Sequence, residues 1–186
     1  MNTSQQTELK LVQSYDRELR DFSQKIGEVA RQGKESHQSF LKKFQQKIDI
    51  YEKQILHYKY LFPADKAIQV YEASIYSFRG MFKLQSALYY DFYPGMFSPS
   101  KDSELRAAII LFDKSLQISE QANTRSMKVF CYRQLNDTKS ALKELNYIIE
   151  RHSDNEDAYL RARKEKDELE TPSSSGIGGL LRSIFG

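Results

Sequence analysis

The chain has 186 residues, a net charge of +3 and one cysteine, Cys131. A lone cysteine excludes an intramolecular disulfide and a cysteine zinc cluster. Hydrophobic residues make up 40% and charged residues 28%, the balance of a chain that folds around a core and meets water outside it. No apolar run approaches the ~20 residues that cross a bilayer.

The pI near 8.8 is mildly basic and does not by itself imply nucleic acid. The segment from Met1 to Gln6 is polar, so no signal peptide is expected and the expected compartment is the cytoplasm. Only 8 Gly and 4 Pro are present. Long stretches without breakers predict an all-α chain with no sheet.

From the N-terminus, Val12, Tyr15, Leu19, Phe22, Ile26 and Val29 recur at steps of three and four. That is a heptad seam, the pattern of one helix wound on another. Gly33 can end this helix in a left-handed conformation, and Ser36 can cap the next. Leu41, Phe44, Ile48, Tyr51, Ile55, Tyr58 and Phe62 repeat the seam. Two matched seams joined by a few residues predict an antiparallel helical hairpin. The alternative use of the seam is a homo-oligomer through residues 12–62. The outer side of the second helix carries Lys42, Lys43, Lys47, Lys53 and Lys59 against Asp49 and Glu52. It reads as a solvated face, or a docking surface for an acidic partner.

Phe62-Pro63-Ala64-Asp65 forces a break. Beyond it a helical signature occurs three times. It runs Ala67-Ile68, Tyr71 and Ser74-Ile75, then Ala108-Ile109, Phe112 and Ser115-Leu116, then Ala141-Leu142, Leu145 and Ile148-Ile149. Each copy opens on a small residue that admits a neighbouring helix and continues with large apolar ones on the same stripe. Gly80 marks a kink or boundary between helices. Pro94-Gly95 and Pro99-Ser100 bound an irregular loop. Ser100, Asp102 and Ser103 are candidate caps for the helix with the second copy. Asn136-Asp137-Thr138 reads as a tight turn in which Asn136 tolerates positive φ and Asp137 caps the helix with the third copy. Ser153-Asp154-Asn155 is the next turn, and the helix after it is polar beyond Leu160, as a capping helix would be.

Residues 122–155 resemble a tetratricopeptide repeat, a helix-turn-helix of roughly 34 residues. Tyr132 falls at the aromatic position of its first helix, Asn136 at the turn position usually held by Gly, and Ala141 and Leu145 at the small and large positions of the second. Residues 48–79 are similar through Tyr58, Ala67, Tyr71 and Ser74. Residues 80–121 are similar through Ala87, Tyr90, Ala108, Phe112 and Ser115, with extra residues in the loop from Pro94 to Asp102. Tyr159 matches the aromatic that opens a following half-repeat. The resemblance implies a right-handed α-hairpin (TPR-like) solenoid of about three repeats with an N-terminal helical hairpin. The corresponding divisions are an extension at 1–47, helical repeats with a capping helix at 48–170, and a linker with an apolar tail at 171–186.

The resemblance also implies a concave groove lined by first helices. By repeat position its candidates are Leu88, Asn123, Ser126, Phe130, Arg133, Asp157 and Arg161. Glu52, Leu56 and Met127 occupy positions where some family members hold a carboxylate clamp, so a chaperone-tail receptor is disfavoured.

After Thr171, the stretch Pro172-Ser173-Ser174-Ser175-Gly176 is a flexible linker by composition. Ile177, Leu180, Leu181, Ile184 and Phe185 then form one apolar stripe if that segment is helical. Its expected cover is a partner's groove, with a peripheral membrane contact or this chain's own concave face as alternatives.

Catalytic signatures are not found. The chain has no Gly-rich phosphate loop, HExxH or GxSxG motif. His37, His57 and His152 are far apart, and the carboxylates alternate with Lys and Arg on helix faces. No enzyme, cofactor or metal site is expected. The expected function is a protein-protein interaction module: an adaptor, assembly factor or chaperone-like scaffold. A membrane-associated adaptor anchored by the tail is the second reading. A nucleic-acid binder using the lysine face and the tyrosines is the third, and nucleic acid is not the expected partner.

Overall fold

The computed structural model describes residues 3–92 and 100–171. Among them are eight helices and no strand: α1 (Thr3–Gln24), α2 (Ile26–Arg31), α3 (Lys34–Leu61), α4 (Ile68–Phe92), α5 (Lys101–Ile118), α6 (Ala122–Gln134), α7 (Thr138–Arg151) and α8 (Glu156–Glu170). The all-helical expectation holds.

The helix ends follow local chemistry. Gly33 has φ 102, outside the range of most L-residues, and turns the chain from α2 into α3. The Ser100 side chain accepts from the amide of Ser103 at 3.4 Å, Asp137 from Ser140 at 3.0 Å, and Asn155 from Ala158 at 3.2 Å. Each satisfies one orphan donor of a first turn. Asn136 takes φ 58 between α6 and α7, which its short polar side chain tolerates.

Three readings of the sequence are corrected. Ser36 does not cap α3, which begins two residues earlier at Lys34. Ala67 precedes α4 and is exposed, so the first signature copy does not place its small residue in a helix contact. The small residues buried there are Ala73 and Ser74. Gly80 is not a boundary between helices: α4 runs through it for 25 residues.

Gly80 serves a close approach instead. Ala73, Gly80 and Ala87 recur every seven residues and are all buried on α4. Ala87 shares a cluster with Leu105, Ala108 and Phe112 of α5, and a side chain at Gly80 would run into the Phe112 ring. The Ser115 hydroxyl, also buried, donates to the Ala73 carbonyl at 2.8 Å. Small groups on one helix thus receive the ring of the other. The second and third signature copies behave as expected: Ala108, Phe112, Ser115, Ala141 and Ile148 are fully buried and Leu145 nearly so.

The N-terminal seam closes within one chain. Val12 and Leu19 of α1 share a core cluster with Phe44, Ile48, Tyr51, Ile55 and Tyr58 of α3 and with Ile75 and Phe78 of α4. The Phe22 and Phe40 rings stack 4.4 Å apart. Buried Asp16 of α1 accepts from the Tyr51 hydroxyl at 2.9 Å and from Arg20 at 2.7 Å, and Arg20 reaches Ser74 of α4 at 3.2 Å. Burial and the neighbouring carboxylate push the Tyr51 phenol well above its usual range, so it stays a donor.

From α3 onward each helix packs on the next. α4 also touches α6, and α6 touches α8, while α1, α2 and α3 make no contact with α6, α7 or α8. Among the described residues, α3 to α8 are therefore packed in chain order, with α1 laid on α3 and α4.

Candidate functional site

The groove candidates lie on α4, α6 and α8, three helices that touch in that order. Asn123, Ser126, Phe130 and Arg133 are spaced three, four and three apart, which makes one stripe of α6. Asn123 and Ser126 are exposed, whereas Phe130 is half-buried. Leu88 of α4 is half-buried too, and it rests with Phe130 and Met127 on the same apolar cluster. Asp157 and Arg161 are exposed on α8, where Arg161 donates to the Asp157 carbonyl at 3.1 Å.

Arg133 has a different occupation. Its guanidinium pairs with Glu165 at 3.2 Å and lies 3.8 Å from Glu168, both on α8. It clasps α6 to α8 beneath the stripe, and only 14% of its side chain is exposed. The structure therefore brings Leu88, Asn123, Ser126 and Phe130 onto adjoining helices, with Arg133 as their support. Ile177, Leu180, Leu181, Ile184 and Phe185 lie outside the described residues, as do Pro94, Gly95 and Pro99.

Behind the stripe lies a polar network that periodicity did not reveal. Lys128 of α6 is 5% exposed. It meets Glu144 of α7 at 2.5 Å and Asp113 of α5 at 2.7 Å. Arg125 bridges Glu144 and Glu120, each at 2.6 Å, and its guanidinium lies 3.4 Å from the centre of the Tyr147 ring. His152 approaches Glu120 at 3.2 Å. Burial would strip the charge from Lys128, but Asp113 and Glu144 hold its pKa above the usual value. Burial opposes the charge on Glu120 as well, yet hydrogen bonds from Arg125 and His152 keep its pKa low. Every charge here is answered by a neighbour, so the network joins α5, α6 and α7 and leaves no acid or base poised for proton transfer. One clue stood in the sequence: Glu144 interrupts the apolar stripe of Ala141, Leu145 and Ile148.

Cys131 is fully buried, and burial pushes its thiol up to about 12. It is a small core group, not a nucleophile. Among the described residues no group of His, Cys, Asp and Glu is arranged to hold a metal ion, and no helix is long and apolar enough to cross a membrane.

No family model matches this sequence, and neither a curated protein nor a solved structure is significantly similar to it.

Proposed function

We propose that this chain is a non-enzymatic protein-interaction module, an adaptor or assembly scaffold, that takes a partner segment along the row Leu88, Asn123, Ser126 and Phe130. The observation that carries this reading is the open row itself. Two adjoining helices, α4 and α6, present half-buried apolar side chains, Leu88 and Phe130, flanked by exposed polar ones. That mixture anchors a segment by apolar contact and orients it by hydrogen bonds.

The finer reading is a TPR-like solenoid. It is supported by the α6–α7 pair, where buried Ala141 lies with half-buried Tyr132 in one cluster and Asn136 turns the chain with positive φ. The chain-ordered packing from α4 to α8 agrees with it. The C-terminal residues Ile177, Leu180, Leu181, Ile184 and Phe185 are a second contact in this proposal, and the cytoplasm is its setting.

Affinity capture from cells tests it, comparing the wild type with Phe130→Ala and with Ile110→Ala. Ile110 is a 56% exposed apolar residue on α5, outside the row. Loss of one specific co-purifying protein with Phe130→Ala alone supports the row. Equal loss in both variants, or no loss in either, removes it.

A further inference from the structure

α3 has two faces of opposite character. Inward, Phe44, Ile48, Tyr51, Ile55 and Tyr58 are almost wholly buried. Outward, Ile50 is 49% exposed, Leu56 60% and Tyr60 84%. At 100° per residue these three share the outer half of the helix with Lys42, Lys43 and Lys53, which are all exposed.

The charges of α3 sort by the same division. Asp49 lies 4.0 Å from Arg79 of α4, and Glu52 pairs with the same guanidinium. Lys47 is taken by Glu18 of α1, and Lys59 by Glu72 of α4 at 2.9 Å. Lys42, Lys43 and Lys53 have no carboxylate within ion-pair range among the described residues. The flanks of the helix are neutralised against its neighbours. Beside its large apolar groups the outer face carries these three lysines against one exposed carboxylate, Glu35, and so keeps a net positive charge.

A second copy of this chain would set lysine against lysine there, which disfavours self-association. The face is one side of a single long helix, whose helix neighbours among the described residues are α1, α2 and α4. A broad negative surface suits that shape better than a segment that needs a groove. Lysine ammoniums meet lipid phosphates, isoleucine and leucine enter the headgroup boundary, and tyrosine sits at that level. We propose that the outer face of α3 is a docking surface for an anionic lipid bilayer. It is separate from the row on α4 and α6, which stays free for a protein partner while α3 is seated.

Co-sedimentation of the full chain with vesicles tests this, using phosphatidylcholine with phosphatidylserine against phosphatidylcholine alone. The wild type sediments with the anionic vesicles and is released by salt. Lys42→Glu, Lys43→Glu and Lys53→Glu combined lower the affinity at least about a hundredfold, since each lysine lost from such a surface costs about fivefold and each new carboxylate is repelled by it. Leu56→Ser with Tyr60→Ser weakens it independently. All five positions are exposed, and an unchanged thermal melt by circular dichroism confirms that each variant is folded. A chain lacking residues 172–186 keeps its phosphatidylserine-dependent binding. The proposal is overturned if the α3 variants sediment like the wild type, or if loss of 172–186 alone abolishes binding. It is equally overturned if phosphatidylserine makes no difference, and the same lysines then point to an acidic protein.

Discussion

Replacing Gly80 with alanine sets two physical effects against each other. Inside an exposed helix the change would stabilise by about 1 kcal/mol, because alanine has less backbone freedom to lose. Gly80 is buried, however, and a Cβ there would lie 2.5 Å from Phe112 Cε1, 2.7 Å from Cδ1 and 3.0 Å from Cζ. Carbon atoms prefer roughly 3.5–4.0 Å, and the Phe112 ring is fully enclosed, with no solvent to swing into. Over-packing of this kind costs about 1–3 kcal/mol. The shortness of the contact puts Gly80→Ala at the upper end, for a net loss of about 2 kcal/mol after the helix gain. For a chain of this size that is a fall of about 4–8 °C in Tm. Urea unfolding followed by circular dichroism measures it. In a Phe112→Leu background the clash is relieved, and Gly80→Ala is neutral or stabilising, a coupling of about 2 kcal/mol. A stability gain of about 1 kcal/mol from Gly80→Ala in the wild type would refute the close approach of α4 and α5.

Lys128→Met leaves Glu144 with one partner instead of two and leaves half-exposed Asp113 to the solvent. It costs about 3 kcal/mol, the low end for breaking a buried pair because Arg125 remains, and a denaturant midpoint reads it. Cys131 does not react with an aromatic disulfide reagent in the native protein and reacts fully in denaturant; fast native labelling would show that α6 opens readily. His37 is buried, and burial holds its pKa below 6.5. As pH falls below 6.5 the unfolded imidazole takes its proton first, so stability declines until the folded one titrates. His37→Gln flattens that part of the pH profile, and an unchanged profile would exclude the burial effect.

The sequence made the helices legible because their apolar spacing and caps are local. Val12, Leu19, Phe44 and Ile48 announce the hairpin, and Asp137 and Asn155 announce the starts of α7 and α8. Across-helix choices were less visible. The signature placed Ala67 in a contact, but the break at Pro63 extends until Ile68, so the small residues that matter are Ala73, Gly80 and Ala87. A glycine amid helix formers reads as a breaker by propensity, and only the facing Phe112 ring explains why it stays. Part of the candidate site was legible: the repeat positions that the resemblance implies named Asn123, Ser126 and Phe130, which fall on one stripe of α6. Arg133 was not, because its partners Glu165 and Glu168 lie a whole helix-turn-helix away. The outer face of α3 was visible as lysines, yet its net positive charge appears only once Arg79 has taken Glu52.

Site-specific photo-crosslinking in cells tests the central claim most directly, with the photoreactive residue at Ser126 and, as controls, at Ile110 and Lys139. All three positions are exposed, the first on the row and the others away from it. The account predicts one discrete adduct from Ser126, with the same partner protein each time, and none of that adduct from the controls. The same adduct from all three positions, or none from Ser126, would contradict it.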